Sequence, residues 1–164
     1  MRRSTVFSRF RCSILLSMLL AVLLPVPATS VGADVVIAVN ANVPINNISF
    51  GELRRIFLGE RQFWSSNLRI SVLMHAPVAR EREVLLKTVY EMSEAQFRQH
   101  WIGKVFRAEA SSAPQTFYSD EEILGALASI PGSIAAVEAA RIPRGLKVIK
   151  VDGHLPGEAG YRLR

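Results

Sequence analysis

The chain has 164 residues, with 20 Lys and Arg against 14 Asp and Glu, a formal charge of +6. Four of the bases and none of the acids fall in the first 33 positions; the remainder sets sixteen bases against 14 acids, interspersed, with no basic stripe for a nucleic acid. The one cysteine, Cys12, lies in that opening segment, so the rest of the chain has no disulfide framework, cysteine nucleophile or cysteine-based zinc site.

The opening "MRRSTVFSRFR" is basic, "CSILLSMLLAVLL" is apolar, and "PVPATSVGA" ends in the small residues Val31 and Ala33. This is the layout of a secretory signal peptide over residues 1–33, with cleavage expected after Ala33. The apolar run is shorter than the ~20 residues a membrane span needs, so no stable membrane anchor is expected. The mature protein is expected to be periplasmic or secreted.

Residues 34–39, "DVVIAV", are a short β-branched run that suits a strand buried on both faces. A loop of Asn and Pro follows over 40–47. Ser49 and Glu52 have capping-box spacing, and Phe50, Leu53, Ile56 and Phe57 form the apolar face of a helix that Gly59 stops. "ERQFWSSN" reads as a loop and "LRISVLMH" (68–75) as a second strand. A helix is expected over 80–92, with Leu85, Val89 and Met92 on one face and "REREV" as a solvated charged run.

Ser93 and Gln96 open the next helix, 93–106, which lines up Phe97, Trp101 and Val105. Residues 107–118 have no clear period and read as an extended connection. Ser119 and Glu122 cap a helix carrying Ile123, Leu127 and Ile130, closed by Pro131 and Gly132. Residues 133–139 and 146–151 are the last strands, and the polar tail 153–164, with its glycines, is expected to be mobile. Strands alternating with helices imply an α/β fold with parallel pairing. The globular domain is expected over 34–152.

Several pieces together resemble the phosphate-type periplasmic substrate-binding proteins of ABC transporters: "VVIAVNANVPI", "SFGELRRIFLGERQFW", "RISVLMH", "EMSEAQFRQHW" and "PGSIAAVEAARIPRGLKVIKV". The helix-and-loop "L..IFLG…W" and the turn "PG.I..V" carry most of the likeness, which spans nearly all of residues 35–151. Family members have two α/β lobes with the ligand between them; this chain is similar to one. The resemblance implies a single periplasmic-binding-protein-like lobe, a mostly parallel sheet flanked by helices. It further implies a solute-binding role beside an ABC transporter or a sensor ectodomain, with a small anion such as phosphate as ligand. Pairing with a second copy of the chain would rebuild a cleft.

In phosphate-binding members the strand before the site runs into an Arg-x-Asp-Gly-Ser-Gly-Thr loop at a helix N-terminus. Here the matching stretch is "HAPVARE": His75 falls near the Arg, Pro77 near the Asp, and Val78, Ala79, Arg80 and Glu81 on Gly-Ser-Gly-Thr. Val78 and Ala79 have no side-chain donor, Pro77 has no N–H, and Glu81 repels an anion. The loop is thus degenerate for phosphate.

The candidate ligand-binding residues are Asn40, His75, Ala79, Arg80 and Ser133. Each has a plainer alternative. Arg80 is equally a helix-start arginine paired with Glu81 or Glu83, His75 a surface histidine, Asn40 a loop residue beside Asn42, and Ser133 an ordinary turn serine. Trp64 and Trp101 are assigned to the core. His75, His100 and His154 have no i, i+4 spacing with one another or with a plausible carboxylate partner, so neither a metal nor a cofactor is expected. No Gly-x-Ser-x-Gly elbow, His-Glu-x-x-His or phosphate-cradling glycine loop is present, and no enzymatic activity is expected.

Overall fold

The computed structural model describes residues 34–65 and 67–163; the signal peptide expected over 1–33 lies outside them. In chain order the elements are β1 (Val35–Val39), β2 (Asn47–Ile48), α1 (Phe50–Phe57), β3 (Phe63–Ser65), β4 (Leu68–Arg69), β5 (Ser71–His75) and α2 (Arg80–Val84). A π-helical segment, Leu85–Tyr90, continues α2, and then come α3 (Glu94–Phe106), β6 (Gln115–Phe117), α4 (Asp120–Ser129) and β7 (Ser133–Glu138). A 3-10 turn, Ala139–Arg141, leads to β8 (Lys147–Val148) and β9 (Lys150–Val151).

The main sheet has the order β6-β5-β7-β1-β8. β5 is parallel to both β6 and β7, while β1 is antiparallel to β7 and to β8. Four strands therefore run one way and β1 alone runs the other. The α/β lobe expected from the sequence is what forms, with the parallel strands as its larger part. β1 is buried on both faces: Val35, Ile37 and Val39 join the core beneath α1, α2 and α3, and Val36 and Ala38 join the core beneath α4. That two-faced burial is why the run reads as continuously apolar.

The helix starts follow their caps. Ser49, Ser93 and Ser119 each accept from the backbone N–H three residues on, and Gln96 completes the reciprocal bond to Ser93. Gly59 ends α1 with φ +71°, and a Cβ there would stand 2.7 Å from the Trp101 ring, so both conformation and space require glycine. Gly132 is tighter: φ is +71°, and a Cβ would fall 2.1 Å from the Arg69 carbonyl oxygen.

Several boundaries differ from expectation. The stretch 68–75 breaks at Ile70, whose N–H bonds the Gln62 carbonyl; its first part pairs back on β3 as a hairpin within the segment read as a loop. The helix expected to reach residue 92 widens into its π segment and stops at Glu91, in the left-handed region at φ 53°. The last expected strand divides at Ile149, giving β8 to β1 and β9 to β2. The tail is not loose throughout. Tyr161 and Leu163 are buried, and the Tyr161 hydroxyl donates to the Val35 carbonyl at 2.9 Å. Among the described residues no helix is long and apolar enough to cross a membrane.

Candidate functional site

Because β5, β6 and β7 run in one direction, their C-terminal ends meet at one edge of the sheet. A cleft of about 570 Å³ opens there. His75 ends β5, Phe117 ends β6 and Glu138 ends β7, while α2 begins at Arg80 and α4 at Asp120, with Arg141 on the 3-10 turn. The Ala76 N–H bonds the Phe117 carbonyl at 2.8 Å and ties the two loops together. Open α/β sheets place ligands outside the carboxyl ends of their strands, so position alone marks this cleft.

The two helix starts differ. Ser119 caps α4 internally, its hydroxyl accepting from the Glu122 N–H while the Glu122 carboxylate accepts from the Tyr118 N–H. Ala79, at the matching position of α2, has no side-chain oxygen with which to cap. Val78 before it sits at φ 72° with its side chain fully exposed. A β-branched residue in that conformation is a genuine outlier. It occupies a position where a glycine loop would incur no strain.

The charge of the lining is acidic. Glu81, Asp120, Glu121 and Glu138 face Arg80 and Arg141, four carboxylates against two guanidinium groups. Arg141 is already engaged: its Nε bonds Glu138 at 2.7 Å and its Nη1 pairs with Asp120 Oδ2. Asp120 Oδ1, the other oxygen, faces His75 Nδ1 at 3.7 Å. His75 is 5% exposed, and its Nε2 is buried without a hydrogen-bond partner. Burial holds the His75 pKa below the ordinary histidine value, with Arg141 adding to the depression; Glu81 and the Ala136 carbonyl oppose it.

Of the five expected ligand-binding residues, the fold brings His75, Ala79 and Arg80 to the cleft and leaves Asn40 and Ser133 outside its lining. Asn40 is buried, donating its amide to the Leu127 and Ala128 carbonyls at 2.8 and 3.0 Å and accepting from the Asn42 N–H. Ser133 is fully buried, its hydroxyl bonding the Leu127 carbonyl at 3.1 Å. Both satisfy carbonyls at the end of α4, a task every helix C-terminus sets. His75 is likewise buried, not a surface histidine.

"REREV" is not simply a solvated face either. Arg82 is 5% exposed; its Nε and Nη2 grip the Glu94 carboxylate at 3.0 and 2.7 Å, and its Nη1 donates to the His75 carbonyl at 2.9 Å. Its guanidinium lies 4.9 Å from the Phe97 ring centre. From the sequence Glu81 reads only as a group that repels an anion or pairs with Arg80, its six-position spacing from His75 matching no ligand motif, and Asp120, 45 positions from His75, is not singled out at all. Trp64 and Trp101 are in the core as expected.

Neither the known protein-family profiles nor the characterised protein sequences include a match to this chain. Solved structures do. A protein from Clostridium perfringens assigned as a phosphate ABC transporter substrate-binding protein, solved with bound phosphate, matches with a TM-score of 0.58 at 14% identity, over 73% of this chain and 45% of that one. An ABC-type phosphate transport receptor from Vibrio cholerae matches at 0.59 and 13% identity, over 75% and 48%. PstS from Borrelia burgdorferi matches at 0.58 and 16%, over 75% and 49%. The chain thus spans about half the length of these structures. The likeness is one of fold: this is a single lobe of the binding-protein type.

Proposed function

We propose that the chain is an exported, non-enzymatic, solute-binding-like protein that uses the cleft at the ends of β5, β6 and β7 as its ligand site. The observation that carries this reading is the cleft's place: helix starts and parallel strand ends converge there, in a lobe built like half of three phosphate-transport proteins. His75, Ala79 and Arg80 are its nearest ligand groups. Bare phosphate is a poor fit. Val78 and Ala79 offer it no side-chain donor, and four carboxylates outweigh two arginines around it.

Thermal unfolding of the purified protein at low salt, against phosphate, sulfate and organic acids, tests the reading. A native-state ligand at 100 times its Kd adds about 2.7 kcal/mol, which raises Tm by several degrees. A saturable rise with one class of solute, lost in Arg80→Ala, supports a solute-binding cleft. No rise across the panel overturns it and favours a protein-interaction module docking on a transporter, a sensor ectodomain or a second copy of the chain. One observation speaks for that second reading: on α3, Ile102, Val105 and Phe106 are 62%, 42% and 89% exposed in a row.

A further inference from the structure

We propose that His75, Glu81 and Asp120 form a site for a divalent transition-metal ion in this cleft. One ligand atom from each lies within 4.8 Å of the others, on two helix starts and a strand end that the sheet brings together. Nitrogen from imidazole with two carboxylate oxygens is a donor set suited to zinc and its first-row neighbours, and too nitrogen-rich for calcium or magnesium. Three protein ligands leave a coordination position open toward the cleft.

Three independent features point the same way. First, His75 is buried and turns Nδ1 toward Asp120 Oδ1 at 3.7 Å, beyond a hydrogen bond, so a ring nitrogen faces the carboxylate across the cluster. Second, the pairing of Arg141 with Asp120 is one-sided. The guanidinium holds Oδ2 and leaves Oδ1 turned toward His75, the way an outer group orients a ligating carboxylate. Third, the lining is net acidic even though two helix starts, which favour anions, open onto it. Carboxylates in the first turns, Glu81 and Asp120 among them, convert an anion position into a cation position.

The geometry asks for little movement. Donor atoms in a tetrahedral zinc site with bonds of ~2.0–2.1 Å stand roughly 3.4 Å apart. His75 and Asp120 are already at 3.7 Å, so closing the set falls mainly to Glu81, a long side chain on the first turn of a helix. The proposal rests on the cleft being a ligand site but not on its ligand being an anion.

The test is calorimetric titration of zinc chloride into the untagged, full-length mature protein in phosphate-free buffer, with inorganic phosphate titrated separately without metal. One zinc ion per chain is expected to bind with micromolar or tighter Kd. His75→Gln and Asp120→Asn should each weaken it at least tenfold, while His154→Gln, away from the cleft, leaves it unchanged. Circular dichroism checks that the variants fold, and Glu81→Gln serves where a change at buried His75 does not. No binding at 100 μM zinc, or binding that survives the three cleft substitutions, overturns the proposal. Should phosphate bind through Arg80 while zinc does not, the cleft reading stands and the metal site falls; should neither bind, the metal site falls and the wider solute panel decides the cleft reading.

Discussion

Replacing Arg82 with methionine keeps an unbranched stem against Phe97 but removes the guanidinium from three partners at once. The His75 carbonyl loses a charged donor, which costs ~1.5–3 kcal/mol. Loss of the bidentate grip on Glu94 would cost more in a sealed interior, but the Glu94 side chain is 31% exposed and recovers water, so ~1 kcal/mol is the fair share. The cation over Phe97 adds ~0.5–1 kcal/mol. The total is about 3–5 kcal/mol, a Tm fall of roughly 10 °C or more for a domain of this size.

Arg82→Lys should recover less than half of that loss, because an ammonium cannot grip both carboxylate oxygens and the carbonyl together. Acid narrows the gap. The hydrogen bonds from Arg82 hold the Glu94 pKa below its ordinary value of 4.5, so the pair's stabilisation is present above that value and lost as pH falls through the folded pKa. Urea unfolding at pH 7 and near pH 3 measures both effects. Loss of under 1 kcal/mol at pH 7, or a gap that widens in acid, would refute this account of Arg82.

Val78→Gly should stabilise the protein. The left-handed conformation costs an L-residue ~1–2 kcal/mol, glycine returns part of that as unfolded-state entropy, and the exposed valine buries nothing; a gain of ~0.5–1 kcal/mol is expected in a melting experiment. The two glycines flanking the second half of α4 should respond oppositely to alanine. Gly125 lies within the helix with open space at its Cβ, so Gly125→Ala raises stability by ~0.5–1 kcal/mol. Gly132→Ala drives a Cβ into the Arg69 carbonyl at positive φ and should cost upward of ~3 kcal/mol, enough to reduce the yield of folded protein.

What the sequence made legible was local. The caps at Ser49, Ser93 and Ser119 are four-residue patterns whose partners are the helix's own N–H groups, and all three form. β1 declared itself because both of its faces are buried, which only an apolar run satisfies. What stayed hidden depends on partners distant in the chain. Asn40 looks like any loop asparagine until α4, 87 residues on, presents its terminal carbonyls. The tail looks loose by composition because its buried anchors, Tyr161 and Leu163, are two residues among polar and glycine positions. Arg82 reads as a surface charge until Glu94 and the His75 carbonyl close around it.

The candidate site combines both kinds of information. Its position was readable, because a strand running into a helix start is a local event at His75–Arg80. Its chemistry was not, because the charge that meets His75 arrives from α4, and the arginine that pairs with Asp120 arrives from the turn after β7. Read alone, the stretch is an anion loop that has lost its donors. With Asp120 and Arg141 in place it becomes a buried imidazole beside two carboxylates, one of them held by an arginine. The same buried arginine that fixes the His75 backbone, Arg82, stands behind that constellation. Weakening it should therefore loosen the histidine as well as the fold. In Arg82→Lys, zinc affinity is expected to fall in step with the melting temperature, whereas Gly125→Ala moves only the latter.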